Sequence, residues 1–185
     1  MKKILILLLK LIGALFIVGV IAVFAIIIKY RLELPNLQSM VEDYKPQMAT
    51  IIYDKNNNVV DTLSVEAREV VKLEDVSPYV KDAFLAIEDK QFYSHHGLNF
   101  KGIARAVITT FLKGRATQGG SSITQQLAKN AFLTPEKTFS RKVKEAILTY
   151  QIERTYTKDE ILERYLNEIY YGSGSYGIKN AAEQY

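Results

Sequence analysis

From Ile4 to Ile28 the chain runs apolar, with Lys10 as the single charged interruption. As a helix these residues extend roughly 37 Å, against about 30 Å of hydrocarbon in a bilayer. A cleaved secretory leader is the competing reading, but its apolar region spans only about 7–15 residues and ends at a small-residue site. Val23-Phe24-Ala25 passes as such a site, yet Ile26-Ile27-Ile28 continues the apolar run beyond it. One retained transmembrane helix is the stronger reading, and whatever follows is then tethered to a membrane.

Charge has to be read with that anchor set apart. The formal net charge is +4, and Lys2, Lys3, Lys10 and Lys29 supply four positive charges in a stretch without acid. The remainder carries 20 basic and 20 acidic residues and is neutral. The basic balance therefore belongs to the anchor and gives no reason to expect a nucleic-acid partner. Lys2 and Lys3 favour a cytoplasmic N-terminus, with Lys29 and Arg31 pulling the other way. In that orientation everything after residue 30 lies outside the cytoplasmic membrane. The chain has no cysteine, so the fold rests on its core without disulfides or thiolate sites.

The organisation expected is a cytoplasmic tip and anchor over 1–29, a stalk and β-hairpin neck over 30–70, and the main domain over 71–185. Pro35 and Pro46 interrupt any long helix in the stalk. Thr50–Tyr53 and Val59–Leu63 flank Asp54-Lys55-Asn56-Asn57-Asn58, which reads as a hairpin because Asn tolerates left-handed backbone angles. After residue 76 helices dominate. Ser77-Pro78 opens the first, whose stripe of Val80, Phe84 and Ile87 delivers Glu88 and Asp89 at its end. Asn99 caps a second, with Ile103, Val107 and Phe111 on one face, ending near Gly114. Residues 114–120 read as a mobile, basic, glycine-rich loop. A third helix starts at Ser121 or Ser122 and carries Ile123 and Leu127. Thr134-Pro135 reads as another cap, before a long helix from Phe139 to Thr155 with Val143, Ile147 and Tyr150 inward. Thr157 and Glu160 form a capping-box pattern, and Ile161, Leu162, Tyr165, Leu166 and Ile169 bury the last clear helix. The soluble part is predicted mainly α, with a small β neck.

Four clusters carry chemistry. Glu88-Asp89-Lys90-Gln91-Phe92-Tyr93-Ser94-His95-His96-Gly97 sets two carboxylates beside aromatics and an imidazole, the groups whose proton affinity is most easily tuned. A polar helix end running into a turn is the plainer reading of the same residues. Gly119-Gly120-Ser121-Ser122-Ile123-Thr124-Gln125-Gln126-Leu127-Ala128-Lys129-Asn130 puts free backbone N–H groups and neutral donors at a helix N-terminus, where an anion is favoured. It is not a nucleotide P-loop, whose Lys-Ser/Thr would directly follow the second glycine. Arg141 and Glu145 are four apart on one helix face, with Lys142 beside them; alone this is an ordinary ion pair. Lys158 to Asn167 is mostly core and charged face. His95 and His96 have no third His or Cys to join them, so a structural zinc site is not expected, and a His that positions the Glu-Asp turn fits better.

Taken together and in this order, the four clusters resemble the peptidoglycan glycosyltransferases of glycosyltransferase family 51, over roughly residues 50 to 185. Glu88-Asp89-x-x-Phe92-x-x-His95-x-Gly97 matches the family's first motif at every fixed position. Gly120-Ser121-Ser122-Ile123-Thr124-Gln125-Gln126 matches the second, with Ser122 where Thr is usual. Arg141-Lys142-x-x-Glu145 matches the third, and Ile161-Leu162-Glu163-x-Tyr165-Leu166-Asn167 the fourth. Tyr176-Gly177-Ile178, Ala181-Ala182 and Tyr185 look like the start of the fifth, so a fragment lacking the closing helices of the domain is expected.

The resemblance implies a lysozyme-like helical fold and an enzyme that polymerises lipid II into glycan strands, with inversion and release of undecaprenyl pyrophosphate. It implies Glu88 as general base, half-buried beside Phe92, with Asp89 holding the turn and tuning its neighbour. Lys129, Lys137, Arg141 and Lys142 are the implied cations for the pyrophosphate. Ser121, Gln125 and Gln126 are implied as neutral contacts, with Phe92, His95, Gly120 and Thr124 completing the substrate-binding set. Glu145 would either orient those cations or hold a divalent metal, Mg or Mn; no organic cofactor is implied. The helix after Asn99 and its glycine-rich loop would form a membrane-dipping wall that admits the lipid tail. The expected partners are lipid II, the growing glycan strand, membrane lipid and other cell-wall synthesis proteins, at the outer face of a bacterial cytoplasmic membrane. Two alternatives stand beside this reading. A lytic glycan hydrolase shares the fold but has no use for a phosphate-binding cluster, and a membrane-tethered glycan-binding module leaves Glu88 without a task.

Overall fold

The computed structural model describes residues 2–36, 39–40, 50–63, 69–113 and 120–185. The chain opens with α1 (Lys2–Glu33). Its stretch Ile6–Glu33 is long and apolar enough to cross a membrane, and none of its most apolar window is buried in the protein. A helix apolar on every side and exposed along that window is consistent with a single membrane anchor. Pro46 and the glycine-rich loop at 114–119 lie outside the described residues.

β1 (Thr50–Tyr53) and β2 (Val59–Leu63) pair antiparallel as the expected hairpin, from Thr50 opposite Leu63 to Tyr53 opposite Val59. Asp54 Oδ1 accepts the backbone N–H groups of Asn56 and Asn58 at 2.7 and 2.9 Å, and Asn57 takes a left-handed φ of 65°. Each of these is the turn chemistry that Asp and Asn supply locally.

The main domain is helical. A 3-10 turn (Leu73–Asp75) leads into α2 (Pro78–Glu88), another (Phe92–Ser94) precedes α3 (Phe100–Lys113), and α4 (Ile123–Phe132) follows. Then come α5 (Phe139–Thr155), α6 (Lys158–Glu168), a small hairpin of β3 (Tyr170–Gly172) and β4 (Ser175–Tyr176), and α7 (Ile178–Gln184). α4 packs on both α5 and α6, and α1 lies against α5. The core is Ile123, Leu127 and Ala128 of α4, Leu148 and Ile152 of α5, and Ile161, Leu162, Tyr165 and Leu166 of α6, joined by Val76 and Phe92. Burying each large side chain contributes about 1.5–3 kcal/mol, so this three-helix junction is the rigid body on which the loops are mounted.

Three helix caps form where the sequence places them. Asn99 Oδ1 accepts the Gly102 N–H at 2.7 Å, Ser122 and Gln125 close a capping box at α4, and Thr157 and Glu160 close another at α6. Three expectations need correction. α5 is capped by Thr138, whose Oγ1 accepts the Arg141 N–H at 3.1 Å, not by Thr134-Pro135. Tyr150 is 58% exposed rather than inward, because the buried face of α5 runs through Glu145, Leu148, Thr149 and Ile152. That i, i+3, i+4, i+7 stripe contains two polar residues, which an apolar-only reading of the helix passes over. Ile87 is 80% exposed, because α2 turns Val80, Phe84 and Leu85 toward the core. The side chains of Ile103, Val107 and Phe111 are outside the described set.

Candidate active site

Glu88 and Asp89 are adjacent in sequence and divided in fate. Asp89 is the C-cap of α2 and is 4% exposed. Its Oδ2 accepts the Ile123 N–H at 3.2 Å and meets His95 Nε2 at 2.8 Å, while Oδ1 accepts from Asn99 Nδ2 at 3.4 Å. His95 Nδ1 accepts the Gly97 N–H at 3.1 Å, so the ring proton sits on Nε2 and points at Asp89. One carboxylate thus ties the end of α2, the 92–97 turn and the start of α4 together. Gly97 is required at its place: φ is 88°, and a Cβ there would lie 2.7 Å from Thr149 Cγ2. The Ser122 hydroxyl donates to the Gly97 carbonyl, stitching the turn to the α4 cap.

Glu88, one residue earlier, is exposed. It follows Phe84 by one turn of α2, and both line a cleft of about 1000 Å³. Gln126 Nε2 donates to Glu88 Oε2 at 2.8 Å, and Gln126 Oε1 accepts from the Tyr165 hydroxyl at 3.4 Å. Burial, and then the charge of Glu88, push the Tyr165 hydroxyl well above its usual range, so it stays a donor. The relay from Tyr165 through Gln126 holds the Glu88 carboxylate with neutral groups. The other oxygen of Glu88 makes no hydrogen bond among the described residues.

The same cleft is lined by Ser121, Lys129, Lys137, Arg141, Lys142 and Glu145. Glu145 is 2% exposed and saturated. Arg141 Nη1 donates to its Oε2 at 2.7 Å, Lys142 Nζ pairs with its Oε1, and Gln125 Nε2 reaches Oε1 at 3.4 Å. Lys142 also donates to Ser121 Oγ at 3.2 Å. A buried carboxylate held this way fixes two cations at the cleft wall. Among the described residues no group of three His, Asp or Glu side chains gathers to hold a metal ion. The donor set around Glu145 is already spent on cations, so it does not fit a divalent metal in this arrangement.

Other expected site residues stand behind the wall. Phe92 is buried against Tyr93 and His95, with the Lys158 ammonium 4.4 Å from its ring centroid, so it is not the neighbour of Glu88. The aromatic neighbours along the cleft are Phe84 and Tyr165, and Glu88 is exposed, not half-buried. Gln125 is buried in the α4 capping box, and Thr124 Oγ1 donates to Glu153 at 2.5 Å. Phe92, His95, Thr124 and Gln125 thus stand behind the cleft wall and support it, and Gly120 is half-buried outside its lining. The sequence reading missed Tyr165 as part of the Glu88 relay, and it missed Glu168, Tyr170, Tyr171 and Tyr176 as lining. On α4, Gln126, Lys129 and Asn130 recur at i, i+3, i+4, and that spacing was the available signal for one polar face.

An open carboxylate and ion-paired cations thus share one cleft in a helical domain that follows an apolar helix. Residues 56–185 match the family model described as Transglycosylase. The chain belongs to that family, glycosyltransferase family 51, and is a peptidoglycan glycosyltransferase domain of the kind found in class A penicillin-binding proteins. It is 45% identical to penicillin-binding protein 1A of Aquifex aeolicus over 185 residues, which is 100% of this chain and 25% of the relative. It is 45% identical to penicillin-binding protein 1A of Neisseria flavescens over 93% of this chain and 21% of that protein. Penicillin-binding protein 1F of Bacillus subtilis is 50% identical over 72% of this chain and 19% of its own length. The chain thus spans about a quarter or less of the curated relatives it matches.

Proposed function

We propose that the domain polymerises lipid II into glycan strands by inverting glycosyl transfer, releasing undecaprenyl pyrophosphate. The observation that carries this reading is the division of labour within one cleft. Glu88 is open and neutrally held, while Arg141 and Lys142 are pinned by Glu145, with Lys129 and Lys137 beside them. Glu88 takes the proton of the acceptor 4-hydroxyl as its oxygen attacks the donor's anomeric carbon. The bond to the leaving oxygen breaks on the opposite face, and the electron pair departs with the pyrophosphate. Charge grows there as the bond breaks, and preorganised cations in a walled cleft are placed to receive it. Ser121 adds a hydroxyl fixed by Lys142. Asp89 and His95 act from behind, keeping the α2 end against α4.

The anchor suits a lipid-linked substrate. With Lys2 and Lys3 in the cytoplasm, the domain faces the outer side of the membrane, where it meets lipid II and the nascent strand. No step is routed through a metal. A glycan hydrolase remains the reading to exclude, and labelled lipid II supplied in vesicles to the reconstituted full chain does so. High-mass polymer supports the transferase; released small muropeptides without polymer would replace it with a hydrolase, and retention without any product with a binding module.

A further inference from the structure

We propose that Lys144 is a positioning residue that latches the domain to the membrane end of α1 and so sets the height of the cleft above the bilayer. α5 carries the cation cluster through Arg141, Lys142 and Glu145. Lys144, between them in sequence, points elsewhere. Its Nζ lies 2.8 Å from Glu33 Oε2 and 5.7 Å from the centroid of the Tyr30 ring, and both partners are in the last turn of α1. Directly after that turn, Leu34 packs against the buried core of the domain. An ion pair, a cation–π contact and an apolar contact thus meet at one end of one helix. A domain swinging freely on a stalk would make none of them.

The depth of that junction follows from the sequence of α1. Ile28 ends the apolar run, so Lys29, Tyr30, Arg31 and Glu33 fall at the headgroup level, where tyrosine and long cations settle. Glu33 is the one acid of α1, and its ion pair at 2.8 Å is with Lys144 of the domain, with Lys29 of its own helix adding a more distant attraction. Lys144 and Arg141 lie three residues apart on one rigid helix, about 4.5 Å along its axis. Whatever height the bilayer gives Glu33 is therefore passed directly to the cations. A lipid-borne pyrophosphate has its own fixed height at the same surface, so matching the two is a gain in proximity. The latch is geometric; its catalytic consequence rests on the polymerase reading above.

The full chain, reconstituted in phospholipid vesicles, tests this through two independent readouts. The chain has no cysteine, so Phe139→Cys, at the exposed start of α5, accepts a single fluorophore. Quenching of that fluorophore by nitroxide-bearing lipids then reports its height. Lys144→Glu and Glu33→Lys should each shift the quenching and lower polymerisation of lipid II in vesicles by about fivefold, since each sets like charges together. The double swap should restore both readouts. In detergent micelles, where no bilayer fixes a height, the single variants should fall by less than about twofold. Lys144→Met, which keeps the apolar stem, guards against simple unfolding, and its thermal midpoint should match the parent while its quenching shifts. Unchanged quenching in Lys144→Glu overturns the proposal. So does an equal loss in micelles and vesicles that the double swap does not repair. A shifted height in the single variants, beside a parent chain that makes no polymer, would sink the polymerase reading and leave the latch standing.

Discussion

Glu88 and Glu145 line the same cleft, yet one is exposed and held by a single neutral amide, while the other is 2% exposed and held by two cations and a second amide. The single neutral donor leaves Glu88 an oxygen to spare, whereas the guanidinium of Arg141 and the ammonium of Lys142 occupy both oxygens of Glu145. The environment of a carboxylate thus separates a base from a strut. Asp89 repeats the lesson at a distance of one residue: it is buried among three donors and serves the fold, while its neighbour serves the cleft.

Stability measurements can break this contrast. Glu145→Ala should have the largest effect, about 3 kcal/mol in urea unfolding, because it strands Arg141 and Lys142 around an empty site. Gly97→Ala should lose about 2 kcal/mol, from a φ of 88° and the approach of Thr149, read as a lower thermal midpoint. Asp89→Asn should lose about 1.5 kcal/mol and speed hydrogen exchange at the Ile123 amide, whose acceptor it weakens. Smaller again is an effect of pH. The backbone N–H of Thr157, then its hydroxyl, hold the Glu160 carboxyl below the usual 4.5. A carboxyl lowered by folding stabilises fully above its unfolded value and loses that contribution as pH falls through its folded one. Stability should therefore drop on acidification below about pH 4.5, and Glu160→Gln should make that drop shallower in an acid titration. Smallest of all, Glu88→Gln should stay within about 0.5 kcal/mol of the parent, since Gln still accepts from Gln126.

What the sequence disclosed was local or motif-borne. Thr157 and Glu160 are three residues apart, so spacing revealed that cap. The start of α4 was left between Ser121 and Ser122 until the capping box of Ser122 and Gln125 decided it, while Asn99 was readable as a cap by residue type. The hairpin turn at Asp54 to Asn58 was readable for the same reason. Two kinds of feature stayed hidden. Buried faces that run through polar residues defeat apolar periodicity, which is why Tyr150 was expected inside, while Ile87 lost its place to Leu85 on a neighbouring apolar stripe. Long-range polar clamps leave no local trace. Asn167 brackets the Val71 backbone, accepting its N–H at 3.0 Å and donating to its carbonyl at 2.8 Å, and Glu163 accepts the Leu73 N–H at 2.7 Å. In the chain these two stood out only as positions of the fourth motif, with nothing to show which backbone groups they hold. Within the candidate site, Glu88, Lys129, Arg141 and Lys142 line the cleft, while Phe92 and Gln125 stand one layer behind it. A motif preserves both layers and does not say which is which.

The most direct test of the account is turnover against substrate affinity in Glu88→Gln. With lipid II in vesicles, the account predicts binding equal to the parent and a polymerisation rate lower by about 10²–10⁴-fold, the share a positioned base contributes. Polymerisation at the parent rate with the carboxylate gone would contradict it.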